Sequence, residues 1–464
     1  MAYQLELSGP AAHRVYQRDE RDRADIAFSV IVPQQASGRA EGRISAGAWR
    51  NLGLSGGGGE SFTGRIEGVP VGEHELLVRI VSVDTGEVLA EGGIGPVYVG
   101  DLWVMGGQSN MEGCGKLIEV EEPQPGVSCM YMGDHWGLAE EPLCWLMESP
   151  DPAHWQFLPE GMDVTEEKRG EYIRAARRDR VQGSGLGLPF GKVLLRHTGI
   201  PVGLLMVAHG GTSMSQWDAE LAGEGGRSLY GAMLRVIREA GGKVKGFLWY
   251  QGESDADETA SELYYDRMIH WTASLRRDLG DPELPFIYAQ LSVVTNWPFE
   301  GPWNKVQDDQ VRLEEALGHA AVVPTIDASL ADSIHPDTDS LRDIGHRMAW
   351  AALRLVHGLN LAEPGPRYAS AEWNAERTEL AVSFSGINGR LVPVKRVFSF
   401  QLTSGGERLP LEARLDESGE RVILRLDQPA PESCQLWHGR GLNPIVNVRD
   451  ERGIPLLVFG PQSV

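Results

Sequence analysis

Cysteine is scarce. Cys114, Cys129, Cys144 and Cys434 are the only four in 464 residues and form no CxxC pair, which excludes a disulfide scaffold and argues against a cysteine-based metal site. Long apolar runs are missing too: the longest, residues 200–208, falls far short of the ~20 residues a membrane-crossing helix needs. The start, Met1-Ala2-Tyr3-Gln4-Leu5-Glu6-Leu7, has neither the basic opening nor the apolar stretch of a secretory leader. The expectation is a soluble, cytoplasmic chain with no membrane partner. Positive charge is the minority sign, with 43 Lys and Arg against 65 Asp and Glu and a net charge of −22. Such a balance repels phosphate backbones, so no nucleic-acid partner is expected. The twelve histidines contain no HExxH and no Cys/His cluster at zinc spacing, so neither a metal nor another cofactor is implied.

What is present reads as β, then α/β, then β. At ~150 residues per domain the length suits two to four domains, and 42% apolar with 23% charged residues is an ordinary globular balance. Before residue 97 the pattern is short strands and turns. Leu76, Val78 and Ile80 alternate with polar neighbours, Asp84-Thr85-Gly86 marks a turn, Val88-Leu89-Ala90 returns, residues 26–32 form another strand and 56–59 a flexible loop. This predicts a β-sandwich-like domain over 1–96. From 97 to 362, apolar runs at 102–105, 202–208, 247–250, 286–291 and 322–326 are short enough for buried parallel strands. Between them lie helical repeats: Tyr264, Met268, Trp271, Leu275 and Leu279 capped by Gly280, and Leu341, Ile344, Met348, Ala352 and Leu355 ending at Gly358. An α/β core with a mainly parallel sheet follows, and its ligand sites belong at the carboxyl ends of strands. After the Glu363-Pro364-Gly365-Pro366 linker, alternation at Leu380, Val382 and Phe384 and at Val422, Leu424 and Leu426 predicts a C-terminal β domain over 363–464.

Four predicted strand ends carry chemistry. Gly106-Gly107-Gln108-Ser109-Asn110-Met111 puts a serine on a glycine-flanked turn, open to attack a substrate and close to backbone N–H donors. The same residues read equally as a tight turn, and Met111 stands where the G-x-S-x-G elbow has its second glycine. Asp332-Ser333-Ile334-His335 places a carboxylate where it can orient an imidazole through Nδ1, leaving Nε2 to take a serine proton; as a bland alternative it is a surface loop, with Asp337 and Asp339 capping the next helix. His209-Gly210-Gly211-Thr212 offers approachable backbone N–H groups, and Gln251-Gly252-Glu253-Ser254 a side-chain amide. Both suit an oxyanion hole, and both read as ordinary turns.

Taken in order, Gly-Gln-Ser-Asn-Met, Gly-Gly-Thr, Trp-Tyr-Gln-Gly-Glu-Ser and Asp-x-x-His-Pro resemble the SGNH hydrolases, and more closely the sialate O-acetylesterase-like carbohydrate esterases. The resemblance covers residues 102–357 and extends weakly to 443–460. It implies a three-layer α/β core and a serine esterase acting on acetylated carbohydrate, of xylo-oligosaccharide or sialic acid type. By this likeness Ser109 is the nucleophile, His335 the general base and then acid, and Asp332 the orienting carboxylate. The Ser109 N–H, the Gly211 N–H (Gly210 as fallback) and the Gln251 amide form the oxyanion hole, while Glu253 orients His335 or braces its loop. Rival readings are a lipid-ester or thioester hydrolase on the same triad, or a carbohydrate-binding protein without turnover.

Other signals are weaker. Gly183-Ser184-Gly185-Leu186-Gly187 with Gly191-Lys192 imitates a phosphate loop but lacks its first glycine and its Ser/Thr. Trp136, Trp145, Trp155 and Trp217 are candidate sugar platforms, although tryptophans more often pack in cores. The basic cluster Arg174, Arg177, Arg178 and Arg180 suits either a sugar carboxylate or the surplus surface acids.

Overall fold

The computed structural model describes residues 2–54, 59–155, 165–392 and 394–464; of the expected loop at 56–59, residues 56–58 lie outside them. The element that organises the chain is β1, Val88–Gly107, twenty residues long. Its first half pairs antiparallel with Gly72–Val81 in an N-terminal sheet. Its second half, where every residue from Val97 on is buried, is the middle strand of the α/β sheet. Position 96/97, where the sequence pattern changes, therefore falls inside one continuous strand.

The other core strands are β2 (Val127–Tyr131), β3 (His135–Leu138), β4 (Val202–Met206), β5 (Gly246–Tyr250), β6 (Phe286–Ala289) and β7 (Ala320–Val323). They are ordered β3-β2-β4-β1-β5-β6-β7. Every neighbouring pair from β2 to β7 is parallel and only the β3 edge is antiparallel. Strands such as β4 and β5 are buried along their whole length, as apolar parallel strands covered on both faces must be. Helices cross between them: α1 (Ser109–Glu112), α2 (Glu166–Asp179), α3 (Gly187–Thr198), α4 (Leu229–Ala240), α5 (Ala260–Leu279), α6 (Glu300–Leu317) and α7 (Thr338–His357). The predicted repeat on α5 buries Tyr264, Met268, Trp271 and Leu275, and Gly280 closes the helix. Asp337 caps α7 through a 2.9 Å bond from the Ser340 N–H.

Two smaller β assemblies flank this sheet, each with its own apolar cluster. In the first, strands Glu6–Gly9, Arg23–Ile31 and Ser61–Pro70 form a sheet whose Ile26, Phe28, Val30 and Ile66 pack on Leu76, Val78 and Ile80 of the other. In the second, two four-stranded sheets enclose Leu380, Val382, Phe400, Leu402, Val422 and Leu424. The phosphate-loop imitation dissolves: Gly187 opens α3, and Lys192 is held by the Glu121 carboxylate and the Glu122 carbonyl.

Candidate active site

Strand register brings three of the four motifs together. Met105 is paired with Met206 and Gly107 with Tyr250, so the turns after β1, β4 and β5 leave the sheet side by side. Two further bonds extend the pairing: the His209 N–H to the Gly107 carbonyl and the Gln108 N–H to the Tyr250 carbonyl, each 2.9 Å. Gly107 is required here. Its φ is 129°, and a Cβ on it would stand 2.2 Å from the Tyr250 oxygen.

Ser109 is the first residue of α1 and is half-buried. Its Oγ lies 3.0 Å from His335 Nε2, and His335 Nδ1 lies 2.7 Å from Asp332 Oδ2. The loop that supplies both side chains is closed by Ala331 N–H to His335 O and Asp337 N–H to Ser329 O, 2.8 Å each. Asp332 Oδ1 accepts the Ile334 and His335 N–H groups at 2.9 Å. Partial burial opposes its ionisation, but the imidazole and these two N–H donors outweigh it and hold the carboxyl below its ordinary range. In this arrangement the imidazole can take the hydroxyl's proton while the ionised carboxylate orients it and stabilises its positive form.

The expected oxyanion donors divide. Gly211 is exposed with φ 70°; neither its N–H nor that of Ser109 has a partner among the described residues. Gly210 is a near neighbour of the serine, since a Cβ on it would lie 3.4 Å from Ser109 Cβ, but its N–H is given to Glu112 Oε2 at 2.8 Å. Gln251 departs from expectation. It is fully buried, and both of its amide hydrogens are used, to the Thr212 carbonyl at 3.2 Å and Asp255 Oδ2 at 2.6 Å. An amide with no free N–H has none left for an oxyanion, so Gln251 ties the β4 and β5 turns together instead.

Three carboxylates brace the site. Glu253 Oε1 accepts from Asn110 Nδ2 at 2.6 Å, while His335 Nδ1 belongs to Asp332. Of the two roles foreseen for Glu253, bracing is therefore the one its hydrogen bonds serve. Burial pushes its carboxyl up to about 7, and Oε2 has no partner among the described residues. Asp255 and Glu112 were not foreseen. Asp255 accepts the Gln251 amide and the Met214 N–H at 2.8 Å, with Arg267 3.5 Å away. Glu112 lies 3.9 Å from Arg180, and burial raises its pKa. Only the acidity of residues just after the two turns signalled them.

Several of the remaining candidates have partners of their own. Trp217 is buried and donates to Thr212 Oγ1 at 2.9 Å. His209 is buried with its Nδ1 3.0 Å from His154 Nδ1. Arg177 pairs with Glu148 and Arg178 with Asp179, and the Arg180 guanidinium lies over Trp145 at 4.7 Å.

The chain as a whole resembles known proteins. Residues 99–354 match the family described as carbohydrate esterase, sialic acid-specific acetylesterase. A probable carbohydrate esterase of Arabidopsis thaliana is 28% identical over 267 residues, 56% of this chain and 92% of that protein. The crystal structure of a carbohydrate acetylesterase from Xanthomonas citri superposes over 97% of both chains with a TM-score of 0.67 at 23% identity, a likeness of fold.

Proposed function

We propose, from the premise that this chain belongs to the sialic acid-specific acetylesterase family of carbohydrate esterases, that it is a serine hydrolase removing acetyl groups from acetylated sugars. The observation that carries the reading is the chain Ser109 Oγ, His335 Nε2, His335 Nδ1, Asp332 Oδ2, with separations of 3.0 and 2.7 Å. Ser109 attacks the acetyl carbonyl as His335 takes its proton, and Asp332 stabilises the imidazolium. The N–H groups of Ser109 and Gly211 receive the oxyanion, a task in which one donor is typically worth ~10²–10³ in turnover. His335 then protonates the departing sugar oxygen. Water, deprotonated by the same imidazole, attacks the acetyl-serine and releases acetate.

Xylo-oligosaccharides and sialic acids are the acetylated substrates to try first. Acetate release across both classes, with acyl chains of increasing length as comparators, tests the reading. Ser109→Ala and His335→Ala each lose nearly all turnover while circular dichroism and Tm stay close to those of the parent. A folded Ser109→Ala protein that retains turnover removes the serine mechanism. Rates that rise with acyl length move the assignment to lipid esters or thioesters.

A further inference from the structure

The C-terminal sheets carry a groove of about 690 Å³ whose lining includes Lys395, Arg396, Phe398, Glu412, Arg414 and Arg425. Four cations face one carboxylate, in a chain of net charge −22. Four of the other arginines of this region are neutralised, Arg367 by Glu314, Arg390 by Glu451, Arg421 by Asp416 and Arg449 by Asp327, while Arg377, Arg408, Arg440 and Arg452 lie outside the groove lining. Arg425 stands in register with Glu379 and Glu412 across the sheet. Even so, among the described residues none of the four lining cations closes an ion pair.

The wall of the groove is held in place. Val397 is buried, the Phe398 N–H donates to Asn447 Oδ1 at 3.0 Å, and Asn447 Nδ2 donates to the Arg396 carbonyl at 2.7 Å. The Ser399 hydroxyl bonds the Ile445 carbonyl. This leaves Phe398 40% exposed with the Arg396 guanidinium 5.5 Å from its ring centre. A partly exposed aromatic ring beside a cation suits the apolar side of a pyranose, and guanidinium forks suit carboxylates. The groove also borders the support of the catalytic loop: Val446, next to Asn447, packs with Val458, Ile326 and Leu330, a few residues before Asp332.

We propose that this groove binds a carboxylate-bearing oligosaccharide, a short uronate-containing stretch of glycan. A nucleic acid fits less well, because the overall negative field repels a continuous phosphate backbone, whereas one cationic groove suffices for a few spaced carboxylates. The inference concerns binding alone and does not depend on the esterase reading.

Calorimetry on the full chain, with a galacturonic acid hexamer, neutral xylohexaose and a single-stranded DNA oligomer as probes, tests it. The hexauronate binds, with an affinity that falls as salt rises, and xylohexaose and DNA bind at least ten times more weakly. The Arg414→Ala, Arg425→Ala double variant loses about tenfold in hexauronate affinity, and Phe398→Ala also weakens it, while Tm and aryl-acetate turnover stay at parental values. No uronate binding, equal binding of xylohexaose, tighter binding of DNA, or unchanged affinity in the double variant each overturns the proposal.

Discussion

Glu253 is an acid kept from water. Its carboxyl is pushed up to about 7, above the ordinary 4.5, chiefly by burial, so between these values the folded chain holds a proton that the unfolded chain releases. Stability from this group is therefore lost as pH rises through that window. Glu253→Gln keeps an acceptor for Asn110 and removes the titration. Its Tm relative to the parent should rise between about pH 5 and pH 8, by up to about 1.4 kcal/mol of stability per pH unit within the window; a pH-independent difference contradicts the assignment. That Ser109, His335 and Asp332 meet was legible, because a glycine-rich turn leaves a side chain open and an acid three residues before a histidine can reach its Nδ1. Gln251 has partners that its own segment does not announce. An amide at a strand end looks like a free donor until its neighbours are known, and Asp255, four residues on, claims it from inside the protein.

At the level of elements, the site depends on where strands stop. The apolar runs and helical spacings were readable because burial on both faces, or on one stripe, imposes them on the sequence. That β1 continues through two sheets was not, since a strand changes its packing partners without changing its own composition. Gly107 ends that strand where the β5 backbone leaves no room for a side chain. Gly107→Ala should cost roughly 2–4 kcal/mol and displace Ser109 from His335, lowering Tm and turnover together. A variant with parental Tm and turnover shows that the turn has room to spare.

Across the whole molecule, the C-terminal region completes the core. Gln290 of the β6 turn is fully buried; its Nε2 donates to the Val458 carbonyl at 2.8 Å and its Oε1 accepts the Val458 N–H at 2.9 Å. Val458 also covers Val293 and Ile326. A chain ending at residue 362 would leave those partners unpaired and that apolar patch wet, so it should fail to give a cooperative thermal transition. A sharp transition with esterase activity would instead make the C-terminal region an independent attachment. None of this long-range dependence has a local sequence signal, because the groups that meet lie more than a hundred residues apart.

The acyl intermediate is the most direct point of attack. Acid quenching during steady turnover of an aryl acetate, followed by peptide mass spectrometry, should find acetyl on the peptide bearing Ser109, and none there in Ser109→Ala. Acetyl on another residue, or undiminished turnover by the folded Ser109→Ala protein, would contradict the account.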